Sequence, residues 1–448
     1  MDQVDVAIIG AGTGGEVCAH RLAKAGLRVA IVERDLIGGE CDYWACMPSK
    51  ALIRPTSLLG QIALGVGLDA PDVRWPDVVA FRDAAVQHLD DTPQVREFER
   101  EGVLFIRAQA RLDGPGRVVA GDRVLAARHV VIATGSEPRI PPIDGLEESG
   151  YWTNREATLL HDVPESIAIV GGSAQALEMA AMLRRFGASV TMVVRSSTLL
   201  SREDPALGEL AADYLRDMGI SIALQCEVNR VERDASGGRV MHLNDGSMIH
   251  ARELLLATGR KPRTDGLGLE RVGVSVGKRG IEVDQFCRAA PGIRAVGDVT
   301  GVALFTHVAN YQARVVADDI LGYPHPANYT GIPRVVFAEP EIAAVGMTPD
   351  QARQQGIDLA TAQIDLRESI SRPMTYGARA SGTLALLADR ERGVLVGAWA
   401  IAPEAGEWVH IAALAIRARI PIAELRDMIY QFPTFSEGML YATDALDL

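Results

Sequence analysis

Cys41 and Cys46 stand five positions apart in Gly38-Gly39-Glu40-Cys41-Asp42-Tyr43-Trp44-Ala45-Cys46-Met47-Pro48-Ser49-Lys50. Two thiols this close in sequence can trade electrons by opening and closing a disulfide. On an ideal α-helix, positions i and i+5 lie roughly 8.6 Å apart at Cα. A disulfide needs less than about 7 Å. A Cys41–Cys46 bridge therefore requires a distorted helix entry, with Pro48 suited to the first turn of the regular helix beyond it. Zinc is disfavoured as the reason for the pair, because no second Cys/His pair at ligand spacing occurs. A redox pair and two unpaired thiols both remain open at this point.

The elements around the pair belong to a nucleotide-binding plan. Val4-Asp5-Val6-Ala7-Ile8-Ile9 reads as a buried parallel strand and leads into Gly10-Ala11-Gly12-Thr13-Gly14-Gly15. A helix-like stretch from Glu16 to Ala25 and a second strand, Arg28–Val32, end at Glu33. This is the dinucleotide fingerprint: glycines let backbone approach a pyrophosphate at a helix N-terminus, and the acid takes ribose hydroxyls. Residues 56–100 read as mostly helical, with Trp75-Pro76-Asp77 as a break, and 103–132 as short strands ending in Val130–Ile132, Ala133, Thr134 and Gly135.

A second, degraded fingerprint follows Ile167–Val170, with Gly171, Gly172 and Ser173 before a helix at 177–186. Where an NAD site would place an acid, after the strand Ser189–Val194, the chain has Arg195 and then Arg202, which favours NADPH, with NADH possible. Leu254–Thr258 with Gly259 repeats the earlier Ala-Thr-Gly strand, a weak internal duplication. Asp298, closing Ile293–Gly297, is placed to hold sugar or ribitol hydroxyls. From about 331 the pattern turns to strands, including 335–337 and 394–400, followed by helices at 404–418 and 421–429.

A net charge of −13 speaks against nucleic acid and membrane surfaces as partners. No uninterrupted apolar run reaches 18 residues, and the N-terminus enters a strand without a signal-like segment, so a cytoplasmic location is expected. Five cysteines in such a chain do not build a structural framework. Cys18, Cys226 and Cys287 read as small buried hydrophobes.

Together these residues resemble the FAD-dependent pyridine nucleotide–disulfide oxidoreductases, the group of glutathione reductase, dihydrolipoamide dehydrogenase and mercuric reductase. The likeness spans nearly the whole chain. It rests on the N-terminal fingerprint, C-x4-C-x-P-S-K, both Ala-Thr-Gly strands, Val296-Gly297-Asp298, the run Phe337 to Gly346, and Pro433-Thr434-Phe435-Ser436-Glu437. It implies an α/β fold with two Rossmann-like domains and a C-terminal α+β dimerisation domain. The boundaries expected are 1–148 and 256–330 for FAD, 149–255 for NAD(P), and 331–448 for the interface. FAD would lie against Gly10, Gly12, Gly14, Gly15, Glu33, Gly39, Lys50, Thr134, Gly135, Asp298 and His307. The nicotinamide nucleotide would lie against Gly171, Gly172, Ser173, Arg195, Arg202 and Gly259. Cys41 becomes the interchange thiol, Cys46 the thiol stacked on the flavin, Lys50 pairs with Glu178, and the chain forms a homodimer.

The departures bear on the substrate. Phe432 occupies the position of the family's histidine, while the following acid is kept as Glu437. That change is similar to one in 2-ketopropyl-coenzyme M oxidoreductase/carboxylase, although Lys50 and Glu437 depart from that enzyme. Tyr430 is the nearest titratable group before Pro433, and His410 reads as an interface or surface residue. The tail after Glu437 carries no cysteine, which disfavours mercuric reduction. Tyr43, Trp44 and Ala45 make the face near the sulfurs bulky and apolar, and Glu40 and Asp42 raise the pKa of the thiol between them. Expected is an NADPH-to-FAD-to-dithiol enzyme acting on an unusual small disulfide. The alternatives are a quinone or acceptor reductase working from the flavin, and thioether cleavage.

Overall fold

The computed structural model describes residues 1–69, 71–377 and 381–448, which fall into two compact units. The first comprises Met1–Ser49, Ala80–Arg139 and Gly259–Asn328. Its centre is a parallel sheet in the order Ile293–Ala295, Arg123–Ile132, Asp2–Ile9 (β1), Val29–Glu33 (β2) and Leu104–Arg107. Ile8 pairs with Ile31 on one side of β1 and with Val131 on the other. Alternate residues of these strands feed two different cores, because successive side chains point to opposite faces. Ala7, Ile9, Ala30 and Val32 join the antiparallel hairpin side with Leu112 and Val118. Val6, Ile8, Val29 and Ile31 join Cys18, Ala19 and Leu22 of helix α1 (Thr13–Lys24) and Val316 of helix Thr306–Ile320. A sheet covered on both faces explains why β1 and β2 read as near-continuous apolar runs.

The second unit comprises Lys50–Val79, Ile140–Thr258 and Tyr329–Leu448. It holds a four-stranded parallel sheet in the order Ser221–Leu224, Ser189–Val194, Ser166–Val170 and Glu253–Leu256, with helix Ala174–Arg185 after the first of these in sequence. A five-stranded antiparallel sheet runs Pro333–Val336, Glu341–Gly346, Val394–Ala402, Thr383–Asp389 and Leu359–Asp365. Helix Ala405–Ala418 buries Trp408, Val409, Ala412 and Ile416 in a core shared with Ala343, Val345 and Ala398 of that sheet. The fold is the expected α/β class: two nucleotide-binding sheets and a C-terminal α+β region. Among the described residues no helix is long and apolar enough to cross a membrane.

Three local expectations change. Trp75-Pro76-Asp77 opens helix Trp75–Ala85 instead of breaking one, since a proline in the first turn lacks only an N–H that has no partner there. The helix after the second fingerprint starts at Ala174, three residues early, because Ser173 caps it. Cys226 is half-buried rather than buried, with its thiol 3.9 Å from Asp245 Oδ2.

One carboxyl in the second unit is poorly served. Glu339 is buried at 8% exposure, and Gln61 Nε2 donates to its Oε2 at 3.2 Å, while its Oε1 has no hydrogen-bond partner. Burial pushes its pKa up to about 7. The folded chain therefore holds this proton more tightly than an unfolded chain, whose glutamates titrate near ~4.3. Below that value the group costs nothing, and stability falls as pH rises toward about 7. Glu339→Gln is expected to raise the melting temperature at pH 8 by more than at pH 5, by roughly 2–4 °C per kcal/mol recovered. Equal shifts at both pH values in calorimetry would contradict the assignment.

Candidate functional site

The cysteine stretch is fastened to the glycine loop before it becomes helical. Gly38 has φ +109°, a left-handed conformation that favours glycine, and its N–H donates to Ala11 O at 2.7 Å. Gly12 and Gly38 form a parallel bridge, and a Cβ on Gly39 would stand 3.0 Å from Gly12 Cα. Helix α2 (Gly39–Tyr43) then carries Cys41 and stops at Trp44, whose φ of −136° is not helical. Helix α3 (Cys46–Leu64) begins on the second cysteine. The predicted distortion is this break.

Thr306, first residue of helix Thr306–Ile320, donates from Oγ1 to Cys41 Sγ at 3.3 Å and lies 3.4 Å from Cys46 Sγ. A hydrogen bond to the Cys46 thiol and burial push Cys41 well above the usual thiol range, and the Thr306 bond pulls the other way. Thr306 escaped the sequence reading, which selected its neighbour His307. His307 is exposed, with its ring stacked on Phe305 at 5.1 Å. The available signal was a hydroxyl residue opening a helix shortly after Gly297-Asp298.

The fingerprint residues surround an open cradle. A Cβ on Gly10 (φ +102°) would meet Ala133 O at 2.4 Å, whereas one on Gly12 would meet nothing within 4 Å. Gly14 and Gly15 lie buried in the first turn of α1, and no side chain caps that helix. Its leading N–H groups face the space at Gly12 and suit a pyrophosphate. Glu33, at the end of β2, accepts from Ala11 N at 2.8 Å and Asp35 N at 2.7 Å.

Across the same unit, Ser136 Oγ donates to Asp298 Oδ2 at 2.6 Å, and burial raises the Asp298 carboxyl. Thr134 Oγ1 donates to Arg263 O at 2.7 Å, next to Gly135, and Gly259 precedes Arg260, whose Nε is 2.6 Å from Ser136 Oγ. Arg260 and Arg263 both pair with Glu40, at 3.4 and 3.3 Å. Arg263 Nε is buried without a hydrogen-bond partner. Arg263 Nε lies 3.7 Å from Glu137 Oε2, and the open glycine cradle fits the pyrophosphate of FAD.

In the second unit, Gly171 and Gly172 bring their loop against Ala257 and Val194. Ser173 accepts from Ala176 N and lies 3.4 Å from Ala257 O, so it serves as a cap. Arg195 is 86% exposed, 3.7 Å from Glu227, and Arg202 is exposed. Lys50 Nζ stands 2.7 Å from Glu178 Oε2 and 4.8 Å from the centre of the Phe337 ring, and Phe337 N donates to Glu178 Oε1 at 3.0 Å. Phe432 is 63% exposed. Glu437 accepts from Thr434 N at 3.3 Å and closes a local capping box. Tyr430 is occupied elsewhere: its hydroxyl donates to Leu425 O at 3.2 Å, and burial raises its pKa. His410 is exposed on helix Ala405–Ala418.

Residues 4–313 match the family model described as pyridine nucleotide-disulphide oxidoreductase, and residues 332–443 match its dimerisation domain. The chain is 34% identical to a mercuric reductase of Acidithiobacillus ferrooxidans over 98% of its own length and 82% of that relative. It is 30% identical to a dihydrolipoyl dehydrogenase of Chlamydia trachomatis, covering 99% and 96%. The Cu(II) complex of the HOCl-induced flavoprotein disulfide reductase RclA from Escherichia coli superposes with a TM-score of 0.87, at 27% identity over 99% of both chains.

Thr306→Val removes the hydroxyl shared by the two sulfurs while keeping the side chain's shape. Cys41 should then hold its proton more tightly. Its alkylation by iodoacetamide in the reduced protein is expected to slow by roughly tenfold, the equivalent of one pKa unit. Peptide mass spectrometry reads this, and an unchanged rate would show that the contact has no electrostatic weight.

Proposed function

The chain belongs to the pyridine nucleotide–disulfide oxidoreductases, and we propose that it moves two electrons from NADPH through Cys41–Cys46 to a small disulfide with a good leaving thiol. The family uses FAD and NAD(P)H. The observation that carries the reading is the Cys41/Cys46 pair gathered on Thr306 in the unit that holds the open Gly12 cradle.

FAD, when bound, would supply two-electron redox chemistry between the nicotinamide and the Cys41–Cys46 pair. Gly10, Gly12, Gly14 and Gly15 would hold its pyrophosphate, Glu33 its ribose, and Asp298, Thr134, Gly135 and Gly39 its ribityl side. Lys50 and His307 complete that proposed set. Gly171, Gly172, Ser173 and Gly259 would receive the nicotinamide nucleotide. Exposed Arg195 and Arg202, following the strand where an acid would favour NADH, support NADPH. Lys50, one helical turn beyond Cys46 on α3 and held by Glu178, favours a thiolate at Cys46. Cys41 then meets the substrate.

Phe432 sets the substrate class. A hydrocarbon ring cannot protonate a departing thiolate, and such help is worth roughly 10²–10⁴-fold. A disulfide whose thiol leaves readily as an anion needs it least. The C-terminal region exposes Leu414 at 62%, Ile429 at 96% and Phe432 at 63%. Apolar side chains left in water over a segment matching a dimerisation domain support a homodimer.

Anaerobic NADPH titration of the FAD-loaded protein should produce a long-wavelength thiolate-to-flavin absorption band, and Cys46→Ser should abolish it. Retention of the band in that variant would reject the assignment of Cys46. Phe432→His should raise turnover on alkyl disulfides by roughly 10-fold or more. A flat response, together with rapid quinone reduction by Cys41→Ser, would instead favour an acceptor reductase working from the flavin.

A further inference from the structure

Arg202 sits in a tight turn whose two ends are held from outside. Glu203 N donates to Leu200 O at 2.7 Å, which closes the turn Leu200-Ser201-Arg202-Glu203 with Arg202 at its third position. At the first position, Leu200 N donates to Gly172 O at 2.8 Å and ties the turn to the glycine loop of the second fingerprint. At the last, Arg334 grips the Glu203 carboxylate with two nitrogens: Nε donates to Oε1 at 2.6 Å and Nη2 to Oε2 at 2.8 Å. Arg334 belongs to the edge strand Pro333–Val336 of the C-terminal antiparallel sheet. Its remaining bonds, to Ile332 O at 3.2 Å and Gly346 O at 3.4 Å, fix the guanidinium on that sheet.

The residue after Glu203 is anchored to the same sheet. Asp204 Oδ2 accepts from Trp399 Nε1 at 2.9 Å, and its Oδ1 accepts from Ala206 N at 3.0 Å, which caps helix Pro205–Asp217. Trp399 is buried on the central strand Val394–Ala402. Leu199, Leu200 and Leu207 share one core with Val336, Ile342 and Trp399. A Cβ on Gly208 would stand 2.2 Å from Leu199 O, so the capped helix leaves the turn no room on that side. All of these contacts lie within the second unit.

We propose, on the reading above that the nucleotide is NADPH, that Arg334 and Trp399 are positioning residues for Arg202: the C-terminal sheet holds the turn in place and thereby sets the preference for NADPH over NADH.

NADPH carries a phosphate on its adenosine ribose that NADH lacks, and a nearby arginine is what accommodates it. An arginine recognises phosphate through a planar fork, so its contribution depends on direction as well as distance. Arg202 is exposed, and the turn is what limits where its side chain can reach. A turn fixed before the nucleotide arrives spares the ordering cost at binding. Arg334 has a second effect, because it cancels the charge of Glu203, the immediate neighbour of Arg202. Left unpaired, that carboxylate would compete for the Arg202 guanidinium and repel the phosphate. Selectivity is a difference of two affinities, and these effects act on only one of them. A bridge that merely stabilised the fold would weaken both nucleotides alike.

Rapid-mixing measurement of flavin reduction in the FAD-loaded protein gives dissociation constants for NADPH and NADH without any disulfide substrate. Arg334→Met should raise the NADPH constant by roughly tenfold, within the usual span of coupling between a binding group and a remote support. The NADH constant and the limiting rate of reduction should stay unchanged. Trp399→Phe, which keeps a ring and removes the N–H, should shift NADPH in the same direction by a smaller factor. Arg334→Lys keeps the charge without the fork and should fall between wild type and Arg334→Met; it and Trp399→Phe carry the comparison if the methionine variant does not fold. Arg202→Met should abolish most of the preference, and Arg334→Met added to it should weaken NADPH no further. Melting temperature and flavin absorbance report folding in each variant. Equal weakening of both nucleotides, weakening of neither, or full additivity of Arg334→Met with Arg202→Met would overturn the proposal. Failure of the NADPH reading shows separately, as a wild type that prefers NADH or a preference for NADPH that Arg202→Met leaves intact, and either result overturns the positioning role with it.

Discussion

A single interruption in the backbone governs the chemistry of this protein. Had α2 and α3 formed one continuous helix, Cys41 and Cys46 would lie roughly 8.6 Å apart at Cα and point away from each other. Trp44 stops α2, and α3 restarts on Cys46 itself. The break is held from behind by the Gly12–Gly38 bridge and the Gly38 N–H to Ala11 O bond. The dithiol is therefore positioned by the same glycine loop that leaves room for a pyrophosphate. Movement of that loop would disturb the thiol pair and the cradle together.

Charge is distributed unevenly around that loop. On one side Arg260 and Arg263 surround Glu40 near Asp298, with two guanidinium groups to its one carboxylate. On the other, Asp42 folds its carboxyl back over Gly38, and burial with neighbouring acids raises Glu16 and Tyr43. The first suits a phosphate-bearing cofactor. The second opposes further negative charge, while the hydrogen bond to Cys46 and burial hold the proton on Cys41.

Much of the fold was legible because its signals are local. The strand–glycine–helix units at Gly10 and Gly171, the β-branched runs flanking them and the Ala-Thr-Gly strands each encode their structure within about 30 residues. Errors arose where a residue's meaning depended on context. Pro76 reads as a breaker but opens a helix, since only its position in the first turn decides which. Cys226 reads as core but faces Asp245 across a turn. Thr306 offered only a hydroxyl opening a helix as a signal, because its importance lies in two contacts with residues some 260 positions away.

By itself, the sequence determined the pairing of two thiols with two nucleotide-binding plans, the acids beside Cys41, and the hydrocarbon at Phe432. These are matters of residue type and short spacing. The tertiary structure decided which group the two thiols share, the Thr306 hydroxyl, and it turned the Asp42 carboxyl back over Gly38. It also decided that Tyr430 and Glu437 are spent on local bonds. Such contacts depend on distances of a few ångströms and on burial, and both come from packing between segments distant in the chain.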